Sequence, residues 1–363
     1  MLVILVVLGT PSFADAQLTE PDVEVVWNSG IPGQRLYEID PWVEPDTVGD
    51  STSAYGDAVD IEGDVIVVGS PASDMFGVNF GAAFVYERSG DTWLRSAALG
   101  PSSDPEKPDS VRHRGFGSEV VIDEGRVFVA APGHDAWCNI DVGAIYVFEK
   151  GPNGWEQVDR LWRNGNDADA FCDNANFSGD YFVPLGMSPD DNFGRKIHVS
   201  GDVLIAHSFN RSFGRGFNCR SGLNFHWWEE GGAVQVFRDG PSGWVREQKI
   251  TIDGEFLDFG VVDGDTMILS SGGEEVESKN FVEDCDRSDP PAHKFRVFEH
   301  QSGEWSEIQQ IDFAPGDDRW YVFRSGDIDG DWAFIGTERD NDETVWALKR
   351  QLGGDWAIKQ TME

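Results

Sequence analysis

Basic residues are scarce in this chain. Lys and Arg number 28 against 65 Asp and Glu, which leaves a formal charge of −37 on 363 residues. So acidic a surface argues against polyanionic partners, because nucleic acid and anionic membranes would both be repelled. It suits a secreted protein kept in solution by self-repulsion, in saline or calcium-containing surroundings, and a monomer is expected. Long apolar runs are missing too: nothing reaches the about 20 residues of a membrane-spanning helix, so no membrane insertion is expected. There is also no G-x-S-x-G, H-E-x-x-H, phosphate-binding loop or C-x-x-C, and the seven His are scattered. These absences weigh against serine hydrolases, zinc proteases, nucleotide-binding enzymes and structural zinc.

The longest apolar run, Leu2 to Leu8, is followed by Gly9, Pro11 and Ala14-Asp15-Ala16. It reads as the core and A-x-A cleavage site of a secretory signal peptide over residues 1–16. No Lys or Arg precedes it, and LVVLGTP resembles VIVVGSP at Val65–Pro71, so a strand remnant is the competing reading.

What the chain has is a repeat. Openings fall at Tyr55-Gly56, Phe116-Gly117, Phe193-Gly194, Phe259-Gly260 and Tyr321-Val322, at intervals of 61, 77, 66 and 62 residues. Each leads into an apolar alternation broken by a tight turn: Glu62-Gly63-Asp64, Glu124-Gly125, Ser200-Gly201-Asp202, Asp263-Gly264-Asp265 and Asp329-Gly330-Asp331. A third strand follows, as in GAAFVYE from Gly81 and GAIYVFE from Gly143, and a fourth begins near Trp93, Trp155, Trp244, Trp305 or Trp356. In the second copy the strands are placed at Ser118–Asp123, Arg126–Ala131, Gly143–Glu149 and Trp155–Leu161. One four-stranded antiparallel sheet cannot bury both its faces alone, and radial packing about an axis solves this while leaving only short edges. The expected fold is therefore all-β, a β-propeller of five full blades over residues 51–363. An N-terminal hairpin, Val23–Trp27 and Arg35–Ile39, lies within residues 17–50. A six-bladed ring is the alternative.

The succession F-G, D-G-D, G-x-P, G-A-x-x-V-F resembles the FG-GAP repeat of integrin α-subunit propellers and of secreted bacterial proteins built from it. The likeness covers roughly Tyr55 to Gln360 and fades in the fifth copy, where Phe-Gly and G-x-P are lost. It implies a propeller, an extracellular setting, and adhesion or ligand binding more often than catalysis. Calcium is the cofactor the resemblance suggests, with Asp327, Asp329 and Asp331 as the closest match to a D-x-D-x-D-G loop. A cation needs six or more oxygens from a wrapping loop, and these acids flank a tight turn, so the turn reading is preferred.

Strand alternation puts the short Gly-Asp turns on one face of the disc and every long connection on the other, where function tends to reside. Cys138, Cys172, Cys219 and Cys285 fall in four of these long segments. Disulfides are expected, with Cys138–Cys172 and Cys219–Cys285 favoured among three pairings because they join neighbouring blades. Within His207–Gly231, Phe213, Phe217, Phe225, His226, Trp227 and Trp228 lie beside Arg211, Arg215 and Arg220. Joined by Trp137, Trp162 and Phe171, they form the expected ligand surface, with aromatic platforms for a sugar or protein partner and Arg for a carboxylate. The competing reading has these rings packing a long loop onto the disc. The leading function is a non-catalytic binding module for an extracellular protein or glycan. A carbohydrate-active enzyme, glycosidase or lyase, is the alternative, with Asp190 and Asp191 or Asp317 and Asp318 as conceivable acid pairs.

Overall fold

The computed structural model describes residues 54–101, 113–135, 142–162, 192–218, 223–252, 255–273, 293–313, 321–339 and 342–362. All belong to the larger of two compact units, Asp46–Glu363. They form five four-stranded antiparallel blades of a β-propeller, and no helix occurs among the described residues.

Blade one is β1 (Val59–Glu62), β2 (Val65–Ser70), β3 (Ala82–Ser89) and β4 (Thr92–Leu99). Next comes β5 (His113–Arg114), which pairs with the later β8 (Gly133–His134). Blade two is β6 (Glu119–Asp123), β7 (Arg126–Ala131), β9 (Ala144–Gly151) and β10 (Gly154–Leu161), in agreement with the alternation read from the sequence. Blade three is β11 (Ile197–Ser200), β12 (Val203–Asn218), β13 (Leu223–Gly240) and β14 (Gly243–Ile250). Blade four is β15 (Glu255–Asp263), β16 (Thr266–Gly273), β17 (Lys294–Gln301) and β18 (Glu304–Asp312). Blade five is β19 (Val322–Asp329), β20 (Trp332–Arg339), β21 (Asp342–Arg350) and β22 (Trp356–Met362). In every blade the register between the third and fourth strands shifts once, at Val85/Tyr86, Gln157/Asp159, Val236/Phe237, Val297/Phe298 and Ala347/Leu348. Such bulges add the twist a paddle needs.

Apolar side chains from facing sheets fill the seams. One core joins blades one and two through Val67, Val85, Phe116 and Tyr146, and a second joins two and three through Phe128, Phe193 and Trp244. A third runs from Ile205 in blade three through Phe259 and Phe295 to Trp346 in blade five.

The repeated motifs are the joints between blades. The Gly opening the third strand of blades one and two lies under the backbone of the next blade's opening: a Cβ on Gly81 would stand 2.1 Å from the Phe116 carbonyl oxygen, and one on Gly143 at 2.1 Å from that of Phe193. Both glycines have positive φ, so only Gly fits on two counts. The recurrent Trp is gripped by the preceding blade. Gln248 accepts from the Trp305 amide at 2.8 Å and donates to its carbonyl at 3.0 Å, and Gln309 does the same to Trp356 at 2.7 Å for both bonds. Asp159 accepts from the Trp244 amide at 3.3 Å. Each of these polar residues stands four positions after its own blade's Trp.

The acids at the tight turns serve as a second set of joints. Glu62 accepts from the Glu124 and Gly125 amides at 2.9 and 2.8 Å, Asp123 from Gly201 at 2.9 Å, and Asp263 from Gly330 at 3.0 Å. Ser200 takes the same place toward Gly264 at 3.4 Å.

Candidate functional site

The five inner strands surround an axial cavity of about 380 Å³. Because side chains alternate along a strand, positions equivalent in the repeat form rings around the axis. Two residues before the last residue of each inner strand the ring reads Asp60, Val121, His198, Val261 and Asp327, and two residues earlier it reads Ala58, Glu119, Lys196, Phe259 and Ser325. Of these, Asp60, Glu119, Val121, Lys196, His198, Phe259, Ser325 and Asp327 line the cavity. With Asp123 and Arg324, which also line it, four acids, two cations and an imidazole share one small space.

Their electrostatics differ. Asp60 Oδ1 accepts from the Ile61 amide and Oδ2 from the Ile122 amide of blade two, both at 2.8 Å, yet loss of solvent still lifts its carboxyl above the ordinary range. Burial also raises Glu119, opposed by its ion pair with Lys196. Asp327 moves the other way: the His198 imidazole, with Nε2 at 3.5 Å from Oδ1, holds it below the usual carboxylate value, and the Ile328 amide adds a bond at 2.8 Å. His198 Nδ1 accepts from the Val262 amide at 3.4 Å, which leaves the proton on Nε2, toward Asp327. Behind the cavity, Asp258 accepts from the Phe323 amide, and burial pushes its carboxyl up to about 6. His207, fully enclosed, is pushed down to about 3 by desolvation and bonds the Leu257 carbonyl at 3.2 Å, so it stays neutral.

Two carboxyls displaced in opposite directions beside an imidazole can exchange a proton with a bound molecule. The same groups also hold backbone amides across seams, from blade one to two through Asp60 and from three to four through His198. Among the described residues no three His, Cys, Asp or Glu converge to hold a metal ion. Asp327 is drawn to His198, whereas Asp329 and Asp331 belong to a two-residue hairpin in which Asp329 pairs with Trp332.

The segment expected to be a long loop in blade three is a ribbon instead. Phe209 through Asn218 of β12 pair without a break with Gly232 back to Leu223 of β13, so the hairpin continues far past the blade. Strand β12 has 16 residues where its counterparts have 6, 6, 8 and 8. The register sets Arg211 opposite Glu230, Phe213 opposite Trp228 and Arg215 opposite His226, and sets Gly214 and Gly216 opposite Trp227 and Phe225. Positions 211, 213, 215, 226 and 228 thus share one face of the ribbon, and 225 and 227 the other.

Trp162, expected on the ligand surface, is instead buried at 4% exposure, packed on His134 at 4.9 Å with Arg160 over its ring at 4.8 Å. A ring following an outer strand toward a seam gains more from burial than from display. Trp137, Phe171, the four cysteines, Arg220, Asp190, Asp191, Asp317, Asp318 and residues 1–50 lie outside the described residues. Sequence reasoning weighs Asp60 only with Asp57, Glu62 and Asp64 as a second match to a calcium loop and does not group it with Glu119, Lys196 and His198, although aligning the five copies on their turns puts Asp60, His198 and Asp327 in one column.

No family model and no curated protein sequence matches the chain. Among solved structures it is similar to a protein from Lactobacillus plantarum, 12% identical, with a TM-score of 0.44 over 85% of this chain and 71% of that one. It is also similar to a proposed 6-phosphogluconolactonase from Bacteroides uniformis, 12% identical, TM-score 0.38, covering 85% of both chains. A third is an exo-1,5-α-L-arabinanase from a bovine ruminal metagenomic library, 10% identical, TM-score 0.34, covering 84% of this chain and 97% of that one.

Proposed function

We propose that this protein is an extracellular, FG-GAP-like binding module that engages a protein or glycan, without catalysis, through the β12–β13 ribbon. The observation that carries this reading is the ribbon itself. Arg211, Arg215, Phe225, His226, Trp227 and Trp228 all stand on one hairpin that outruns its blade. Chain ordered beyond what the fold needs costs conformational entropy, and an arm of Arg and aromatic residues is the composition that interface hot spots favour. Asp60 and His198 support the same reading, since their bonds to the next blade's backbone account for them as joints.

A second reading has one observation in its favour: Asp60 is raised and Asp327 lowered within one cavity, a pairing that suits an acid and a base of glycoside hydrolysis. A glycan array and a reducing-sugar assay on the same preparation separate the two. The binding module retains glycan without releasing reducing ends, and Trp227→Ala with Arg215→Ala weakens retention by ~10-fold or more. Release of reducing ends that disappears in both Asp60→Asn and Asp327→Asn would replace it with the hydrolase.

A further inference from the structure

The two cations that line the axial cavity are already paired. Lys196 forms its ion pair with Glu119, and Arg324 donates to Glu338 on the adjacent strand. His198 accepts from the Val262 amide and is neutral, with its Nε2 proton toward Asp327. Among the described residues no lysine or arginine reaches Asp60 or Asp327. These two carboxylates stand on the inner strands of the first and last blades and line one space. Loss of solvent raises the Asp60 carboxyl, and the Asp327 charge raises it further. Like charges that share a cavity without a counter-ion from the chain attract one from outside.

Both carboxylates keep acceptor capacity for it. Each Asp60 oxygen takes one amide, from Ile61 or Ile122, and retains a second lone pair. Asp327 uses Oδ1 toward Ile328 and His198, and its side chain is 83% exposed, so the cavity is open to solvent there. The joint that Asp60 makes between blades one and two is therefore compatible with a ligand. Val59 and the Phe259–Phe323 pair, edge to face at 5.3 Å, give the same cavity an apolar side. A few polar groups set against an apolar wall in about 380 Å³ is the make-up of a small-molecule site. With no three His, Cys, Asp or Glu converging among the described residues, the set is too sparse to wrap a hard cation. The charge it suits is carried by an organic group that brings its own hydrogen-bond donors.

We propose that the axial cavity binds a small primary ammonium compound, no larger than an amino sugar, whose charged head lies between Asp60 and Asp327. Its carbon skeleton rests on the side of Val59 and Phe259. This site is separate from the β12–β13 ribbon, and its occupation requires no turnover. No core cluster of the described residues contains both blade one and blade five, so the bound ammonium adds a contact between them.

Calorimetric titration of the full-length chain at pH 7 tests the assignment. The probes are glucosamine and ethanolamine, each set against its neutral counterpart, N-acetylglucosamine or ethylene glycol. At least one amine is expected to bind saturably, one per chain, and ~10-fold or more tighter than its counterpart. Asp60→Asn and Asp327→Asn should each weaken it by ~10-fold or more. Glu343→Gln, at an exposed position on blade five, should leave it unchanged. Saturating amine should also slow amide exchange in Val59–Glu62 and Val322–Asp329 of the parent chain by ~10-fold, a readout that depends on no variant folding. Absence of saturable binding by both amines overturns the proposal, as does equal affinity for amine and neutral counterpart. An affinity that Glu343→Gln lowers as much as Asp60→Asn overturns it too, because the attraction is then diffuse, to a chain of charge −37.

Discussion

The Asp123 carboxylate, at the end of one inner strand, accepts the Gly201 amide of the next blade's turn at 2.9 Å. The same bond recurs from Glu62 to Gly125 and from Asp263 to Gly330, so these acids hold blade to blade. Asp123→Ala leaves the half-buried Gly201 amide without its partner, and the expected loss is about 1–3 kcal/mol. Urea unfolding at pH 7 measures it. Asp123→Asn, which keeps an accepting oxygen, should recover most of the loss, whereas an equal loss in both variants would show that the bond is not the cause.

Gly143 is restricted in two ways, by a φ of +81° and by the Phe193 carbonyl oxygen at 2.1 Å from where a Cβ would lie. Left-handed backbone alone costs a non-glycine residue about 1–3 kcal/mol, and the backbone clash adds to it. Gly143→Ala should therefore unfold at lower urea than Gly125→Ala, whose Cβ would enter open space at a comparable φ of +72°. Equal midpoints for the two variants would remove the close-approach explanation of the motif.

Asp258 links stability to pH. Its folded carboxyl sits at about 6 against an ordinary 3.8, because burial disfavours the charge. The folded state therefore holds the proton more tightly than the unfolded chain does. The stabilisation is complete below about pH 4 and is lost as pH rises toward 6 and beyond, by about 3 kcal/mol in total. Asp258→Asn keeps an acceptor for the Phe323 amide and has no charge to bury. It should be more stable than the parent at pH 7 and show a flatter pH dependence between 4 and 6, read by chemical denaturation at several pH values. Raised Asp60, Glu119 and Asp123 contribute slopes of the same sign, so the comparison is of the variant with the parent.

How much of this could be read from the sequence follows from which interactions are local. The strands of blade two were legible because alternation and Gly-bounded turns are properties of a few adjacent residues, and Gly143 and the recurrent Trp stood out by repetition. Their reasons were not legible: the Phe193 carbonyl over Gly143 and the Gln248 grip on Trp305 join residues 50 and 57 positions apart. The ribbon was mistaken for a loop because Gly214 and Gly216 weaken the strand signal, and only the register sets Trp227 and Phe225 across from them. The axial ring is hidden for the same cause, since Asp60 and His198 meet through the repeat and not through the chain. Trp162 was misjudged because an aromatic residue after a strand looks alike whether it turns to solvent or into a seam.

The ribbon should be dispensable for folding and necessary for binding. Positions Val203–Ser208 pair with Ala233–Arg238 inside blade three, whereas Phe209–Asn218 and Leu223–Gly232 pair only with each other. At about 3.3 Å per residue they reach roughly 30 Å beyond the blade. Replacing residues 210–231 by an Asn-Gly turn, the sequence preferred for a two-residue hairpin, should leave the melting temperature within ~3 °C of the parent, because the pairs inside blade three and Gly232, which lies against the Leu257 backbone, are kept. The same variant should lose the glycan or protein partner altogether. Binding that survives the excision would move the contact surface away from Arg215 and Trp227 and toward the axial cavity. A large fall in melting temperature would mean that the ribbon packs against the disc and that its aromatic residues are there for burial.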